Sequence, residues 1–216
     1  MKKNREYYKI TKCEFSKNPD LTNIISLGKM PAVNDYIKIG NDTNKLKFYE
    51  TEISYSKSSN LVQLTTIVNK EILFPKSYPY TSSTTKILRD NFKNLYDESI
   101  KLIKFSKSDL VIDIGSNDGN LLSNFKKFRV LGITPENIGK LAIKKGIPTI
   151  LNYFDKKTVL KILKKYGKAK LICATNVFAH IEDTNQLIKN IKSILDKNGV
   201  FVSESHYLVS LIKTLQ

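Results

Sequence analysis

Asp113, Gly115 and Gly119 carry the clearest chemical signal in this sequence, within Asp109-Leu-Val-Ile-Asp-Ile-Gly-Ser-Asn-Asp-Gly119. Glycines at such a turn let a ligand's atoms approach the main chain closely. The spacing reads D-x-G-x-x-x-G. A dinucleotide fingerprint would need a glycine where Asn117 stands, and a phosphate loop would need other residues at Asn120 and Leu121. The two histidines, His180 and His206, are isolated in turn-like stretches, where histidine is ordinarily a structural hydrogen-bonding residue. Neither is assigned as a catalytic base, so the catalytic residue stays unknown.

The elements around this turn are legible. Leu110, Val111, Ile112 and Ile114 form the β-branched run of a strand buried on both faces. Leu121, Leu122, Phe125 and Phe128 follow at helical spacing. A strand, a glycine turn and a helix in that order place a ligand site at the carboxyl end of a parallel sheet. The alternation continues with strands at 129–133, 147–151, 170–175 and 200–203, and helices at 84–105, 136–145, 155–166 and 183–195. A last helix is expected from Leu208 to Gln216. Residues 1–75 read instead as short strands (7–10, 24–27, 47–51 and 61–64), with Leu27-Gly-Lys-Met-Pro-Ala-Val-Asn34 as a loop.

The chain has 216 residues and is 41% hydrophobic, enough for one large domain or a domain with a small appendage. No run of about eighteen apolar residues occurs, so no membrane span is expected. Met1-Lys-Lys-Asn-Arg5 is basic without an apolar segment behind it, so no secretory signal is read and the cytoplasm is the expected location. Two cysteines, Cys13 and Cys173, do not make a disulfide framework. The net charge of +16 raises a nucleic-acid partner, but arginine occurs only at positions 5, 89 and 129, and lysines are spread along nearly every expected helix. That pattern reads as solvated helix faces. An anionic small substrate would benefit from the same charge.

The D-x-G-x-x-x-G turn resembles the first motif of S-adenosylmethionine-dependent methyltransferases. The resemblance implies an α/β, Rossmann-like class I sheet with a small β-rich N-terminal domain, and Asp113, Gly115, Asn117, Asp118 and Gly119 around the methionyl half of the cofactor. Its ammonium group would favour a nearby carboxylate. An acidic residue normally closes the second strand to pair with two ribose hydroxyls, about twenty residues beyond the first loop. Thr134 holds that position in Gly132-Ile-Thr-Pro135, and Glu136 lies two residues on. Asn152 would lie near the adenine and Asn176 at the end of the fourth strand.

The remaining motifs resemble the sugar C-methyltransferases, which methylate a ring carbon of a nucleotide-linked keto-deoxysugar. Their N-terminal zinc domain has the pattern C-x-x-C, L-G-x-x-P-x-x-N, then C-x-x-C before G-L-V-Q-L. Cys13-Glu-Phe-Ser16, Leu27–Asn34, Ser56-Lys-Ser-Ser59 and Asn60-Leu-Val-Gln-Leu64 match it with three ligand positions changed to serine. Serine hydroxyls do not replace the soft ligands of structural zinc, so no metal is expected. Residues 1–75 are therefore read as a degenerate zinc-ribbon-like domain, and 76–216 as the methyltransferase core. Tyr78, Tyr80, Ser82 and Ser83 match the family's Y-x-Y-x-S-S segment, Asn176-Val-Phe-Ala-His180 its N-N-V-L-A-H turn, and Glu204 also matches. The resemblance places Tyr78, Tyr80, Ser82, Ser83, His180 and Glu204 toward the substrate.

The family's next segment, of the Y-x-x-H-E-H type with the proposed base, is not found, nor are the sixth and seventh strands of the sheet. The expectation is a truncated or split sugar C-methyltransferase acting on a nucleotide sugar. A second chain would supply the missing half. A non-catalytic remnant or partner subunit, and a nucleic-acid methyltransferase, are the alternatives.

Overall fold

The computed structural model describes residues 5–33 and 35–214. Residues 1–4, Asn34, Leu215 and Gln216 lie outside the described residues. They include most of the basic start, the last residue of the expected loop and the end of the expected final helix. The chain forms two compact units, one up to Tyr78 with Glu182–Thr184, the other Pro79–Ile181 with the residues from Asn185 onward.

The first unit contains β1 (Tyr7–Lys9), β2 (Leu21–Pro31), β3 (Phe48–Ser56), β4 (Leu61–Leu64), β5 (Thr66–Val68) and the single turn α1 (Lys70–Leu73). β1 pairs with β5, and β2, β3 and β4 form an antiparallel sheet in that order. The expected loop at 27–34 is corrected here, because β2 continues to Pro31. A register shift between Ser26 and Lys29 absorbs Gly28, whose φ is 75°. Pro31 closes the strand, where its missing N–H costs least.

The second unit runs α2 (Lys86–Leu102), β6 (Leu110–Ile114), α3 (Asn120–Asn124), β7 (Arg129–Ile133), α4 (Gly139–Lys144), β8 (Thr149–Ile150), α5 (Lys156–Lys165), β9 (Ala169–Thr175), α6 (Thr184–Ile194), β10 (Leu195–Glu204) and α7 (Leu208–Thr214). Its sheet order is β10-β9-β6-β7-β8, with every pair parallel. The order reverses direction between β6 and β9, the crevice where open α/β sheets take ligands. This is the Rossmann-like class I methyltransferase sheet.

Alternation along β6 divides the core. Leu110, Ile112 and Ile114 pack with Val159 and Ile162 of α5 and Leu187 and Ile191 of α6. Val111 faces the opposite side with Phe92 of α2, Leu121 and Leu122 of α3, and Ala142 of α4. Helices thus cover both faces, which explains why β6 is apolar throughout except at Asp113.

Two helices are shorter than their apolar spacing predicts. α3 stops at Asn124, whose side-chain amide donates to the Asn120 and Leu121 carbonyls and competes for the helix's own acceptors. Phe125 and Phe128 are then carried by tighter turns. α4 begins only at Gly139, after tight three-residue bonds from Gly139 to Glu136, Lys140 to Asn137 and Leu141 to Ile138. Among the described residues no helix is long and apolar enough to cross a membrane.

Candidate functional site

The carboxyl ends of β6, β7 and β9 bring the candidate residues together. Asp113 pairs in register with Gly132 on one side and Cys173 on the other. It is 3% exposed, and its Oδ1 has no hydrogen-bond partner among the described residues. Burial pushes its carboxyl up to about 8. A buried carboxyl oxygen left without a donor is costly unless a ligand supplies one. The residues at this strand end therefore fit the ammonium group of S-adenosylmethionine.

The loop that follows turns left-handed at every second residue. Gly115, Asn117 and Gly119 all take the left-handed backbone, with φ of 76°, 49° and 78°. The N–H groups of Gly115 and Ser116 both donate to the Ile133 carbonyl, which ties the loop to the end of β7. A Cβ on Gly115 would stand 2.3 Å from Val177, and one on Gly119 2.8 Å from Ile147 and 2.9 Å from Ala142. In the Cβ direction, then, each glycine makes room for the protein's own side chains.

The Y-x-Y-x-S-S segment meets the loop directly. Asn117 accepts from the Ser82 N–H at 2.9 Å and donates its amide to the Tyr80 carbonyl at 3.0 Å. The Ser82 hydroxyl donates to Asp118 Oδ1 at 2.6 Å, and the Lys145 ammonium to Asp118 Oδ2 at 2.9 Å. Burial alone would raise the Asp118 carboxyl, but hydrogen bonds from Ser82 and Ser83 and the Lys145 charge outweigh it and hold it below its ordinary range. Asp118 therefore braces the loop from inside. The Tyr80 ring is half exposed. Tyr78 belongs to the first unit, with its ring 5.7 Å from that of Phe74.

At the end of β7, the buried Thr134 hydroxyl donates to the equally buried Glu136 carboxylate. A carboxylate is thus present close to the position where the sequence lacks one. Asn152, two residues past β8, caps its own neighbour by accepting from the Tyr153 N–H. Asn176, past β9, takes φ 55° and donates its amide to Glu204 Oε1 at 2.8 Å. The other Glu204 oxygen accepts from Asn91 of α2 at 2.7 Å. Asn91 had no signal in the sequence beyond being a polar residue on an amphipathic helix. His180 lies in a short 3-10 turn, and desolvation of its ring, then the nearby His206, hold its imidazole below the ordinary value.

The first unit contains the positions that resemble zinc ligands, and the donor set does not fit that metal. One thiol and three neutral hydroxyls do not close a tetrahedral zinc site. Among the described residues no cluster of histidine, cysteine and carboxylate could hold a metal ion.

A family model described as "Methyltransferase domain" matches residues 87–213, and one described as "Putative zinc binding domain" matches 13–74. C-methyltransferase NovU of Streptomyces niveus is 26% identical over 210 residues, covering 96% of this chain and 50% of NovU. The chain thus spans about half the length of the curated relative it matches. Among solved structures, the plantazolicin methyltransferase BpumL in complex with a triazolic desmethylPZN analog and SAH is similar at 17% identity and a TM-score of 0.49, over 61% of this chain and 52% of BpumL. Streptomyces venezuelae DesVI is similar at 15% identity and a TM-score of 0.43, over 54% of this chain and 52% of DesVI. At those scores neither structure bears on the chemistry of the site.

Proposed function

As this chain belongs to the methyltransferase-domain family, whose methyl donor is S-adenosylmethionine, we propose that it serves the carbon methylation of a nucleotide-linked keto-deoxysugar. The observation that carries the reading is the bonding of Tyr80 and Ser82 to Asn117 and Asp118, which ties the segment assigned to the substrate to the loop assigned to the cofactor. The C-methyltransferase NovU, similar along 96% of this chain, supports the same reaction class.

Bound S-adenosylmethionine would supply a methyl group on an already activated sulfonium, so positioning is most of the catalysis. Asp113 would accept from the ammonium group, and in pairing with it would give up the proton that burial otherwise retains. Glu136, held by Thr134, would accept from the ribose hydroxyls. Asn152 would lie toward the adenine. Asn117 and Asp118 hold the loop against the 80–83 segment, with Gly115 and Gly119 permitting its path. Tyr78, Tyr80, Ser82, Ser83, His180 and Glu204 are assigned to the substrate side. Asn91 and Asn176 fix Glu204 with both oxygens occupied.

Methylation beside a ketone also needs removal of an α-proton. No residue of this chain is assigned that task. That task falls to a segment of the Y-x-x-H-E-H type, on a second chain or on a longer form of this one. A non-catalytic partner subunit is the second reading, favoured by the neutral Thr134 at the ribose position.

Calorimetric titration with S-adenosylhomocysteine, together with mass spectrometry of a nucleotide-linked 4-keto-6-deoxyhexose incubated with cofactor and the chain supplied with a segment of the Y-x-x-H-E-H type, tests these readings. Binding with a methylated product supports the enzyme, and binding without product supports the partner subunit. Absence of binding that the Asp113→Ala variant shares would remove the cofactor assignment.

A further inference from the structure

The four positions that resemble zinc ligands converge in space although they lie far apart in sequence. Cys13 Sγ stands 3.2 Å from Ser59 Oγ, and Ser59 donates to Ser56 Oγ at 3.1 Å. The Ser58 hydroxyl donates to Ser16 Oγ at 2.9 Å, and the Ser16 N–H points to Cys13 Sγ at 3.5 Å. The turns around 13–16 and 56–59 are therefore fastened to each other, as a shared metal would fasten them.

What closes the cluster is a residue outside the ligand pattern. Asp20 accepts the Ser56 hydroxyl on Oδ1 at 2.9 Å and the Ser58 N–H on Oδ2 at 2.7 Å. Gln63 extends it, donating to Cys13 Sγ at 3.3 Å while accepting the Glu14 N–H at 3.0 Å. Cys13 and Ser56 are fully buried, yet their polar atoms are all engaged. A neutral hydroxyl cannot give a zinc ion the charge that a thiolate does, but it can both donate and accept, as a metal-bound thiolate cannot.

We propose that this N-terminal unit folds without metal, the Cys13–Ser59–Ser56–Asp20 hydrogen-bond knot having taken over the fastening role of the zinc. A negative charge from Asp20 sits at the edge of the knot and strengthens the two bonds it receives. Ser56 and Ser59 each donate and accept at once, so the links they make satisfy the buried Ser56 hydroxyl and Cys13 thiol together. The unit is then indifferent to chelators, in contrast to small metal domains whose folding free energy is their binding free energy.

The experiment uses the full chain produced with zinc in the medium. Metal analysis of the purified protein, and thermal unfolding with and without EDTA, are expected to show no stoichiometric zinc and no shift with chelator. Stoichiometric zinc, or a fall in unfolding temperature on chelation, overturns the proposal. Two variants separate the knot from mere loss of metal. Asp20→Ala is expected to lower the unfolding temperature of the unit. The combined Ser16→Cys, Ser56→Cys and Ser59→Cys variant is expected to bind zinc and to become chelator-sensitive. An Asp20→Ala chain as stable as the parent, or a triple variant that takes up no zinc, would each show that the knot does not occupy the metal's place.

Discussion

Ser82 donates its hydroxyl hydrogen to the fully buried Asp118 at 2.6 Å, so the segment before α2 is fastened to the inside of the loop after β6. The two residues are 36 positions apart. Removing the Ser82 hydroxyl takes one charge-assisted bond from the buried Asp118, which keeps those of Ser83 and Lys145. A hydrogen bond to a charged group contributes about 1.5–3 kcal/mol. Ser82→Ala is therefore expected to lower stability by about that amount in urea unfolding. It is also expected to weaken S-adenosylhomocysteine binding through a looser loop, while Lys86→Ala, at an exposed ion pair beyond the segment, leaves both nearly unchanged.

Asp113 predicts a pH dependence of stability with a definite sign. Its folded carboxyl is raised to about 8 by burial, above the roughly 3.9 expected of an unfolded aspartate. The folded chain therefore holds a proton that the unfolded chain releases first. That contribution is complete below about pH 4 and is lost as pH rises through about 8. Asp113→Asn is expected to flatten the fall in unfolding temperature between about pH 5 and pH 8.5, by about 2 kcal/mol or more at the upper end. A variant with the same slope as the parent would mean that Asp113 is ionised in the fold.

Cofactor binding tests the same residue from the other side. If the Asp113 carboxylate pairs with the ligand's ammonium, binding near neutral pH releases its proton. Calorimetry in buffers of different ionisation enthalpy is expected to show that release in the parent and not in Asp113→Asn.

Glu136 and Thr134 separate by substitution. Glu136→Gln is expected to weaken S-adenosylhomocysteine binding by about tenfold, the loss of charge on a hydrogen-bonded acceptor. Thr134→Glu puts two carboxylates side by side in a buried place and is expected to destabilise the fold rather than improve binding. A tighter-binding Thr134→Glu would show that Glu136 does not stand in for the usual acidic residue.

Gly115→Ala meets both a strained backbone at φ 76° and the Val177 side chain 2.3 Å away. A loss of about 1–3 kcal/mol is expected. Val177→Ala in the same chain is expected to return part of it, with the backbone share remaining. A double variant no better than Gly115→Ala would place the whole cost in the backbone.

The order of elements in the second unit was readable because its signals are local. A buried strand, a glycine turn and an apolar stripe each declare themselves within a few residues, and β6, β7 and β9 fall where those patterns lie. β8 keeps only Thr149–Ile150 of its expected span, and β10 starts at Leu195, ahead of the strand expected at 200–203. Asp113 was marked as the one charge in an apolar run. Its unpartnered oxygen was not, since that depends on what Gly132 and Cys173 fail to offer across the sheet.

What tertiary structure alone decided are the pairings between distant positions. The 27–31 stretch carries loop residues, yet it is strand because β3 offers a ladder and a bulge absorbs the glycine. Glu204 is matched by Asn91 from 113 positions away, and Asp20 closes a knot with Ser56 and Ser58. The sequence by itself determined the strand–turn–helix register and the residues lost from the metal pattern. Which side chain satisfies which buried group was left to the fold, because a hydrogen bond needs two partners at about 3 Å and one-dimensional spacing states only the first of them.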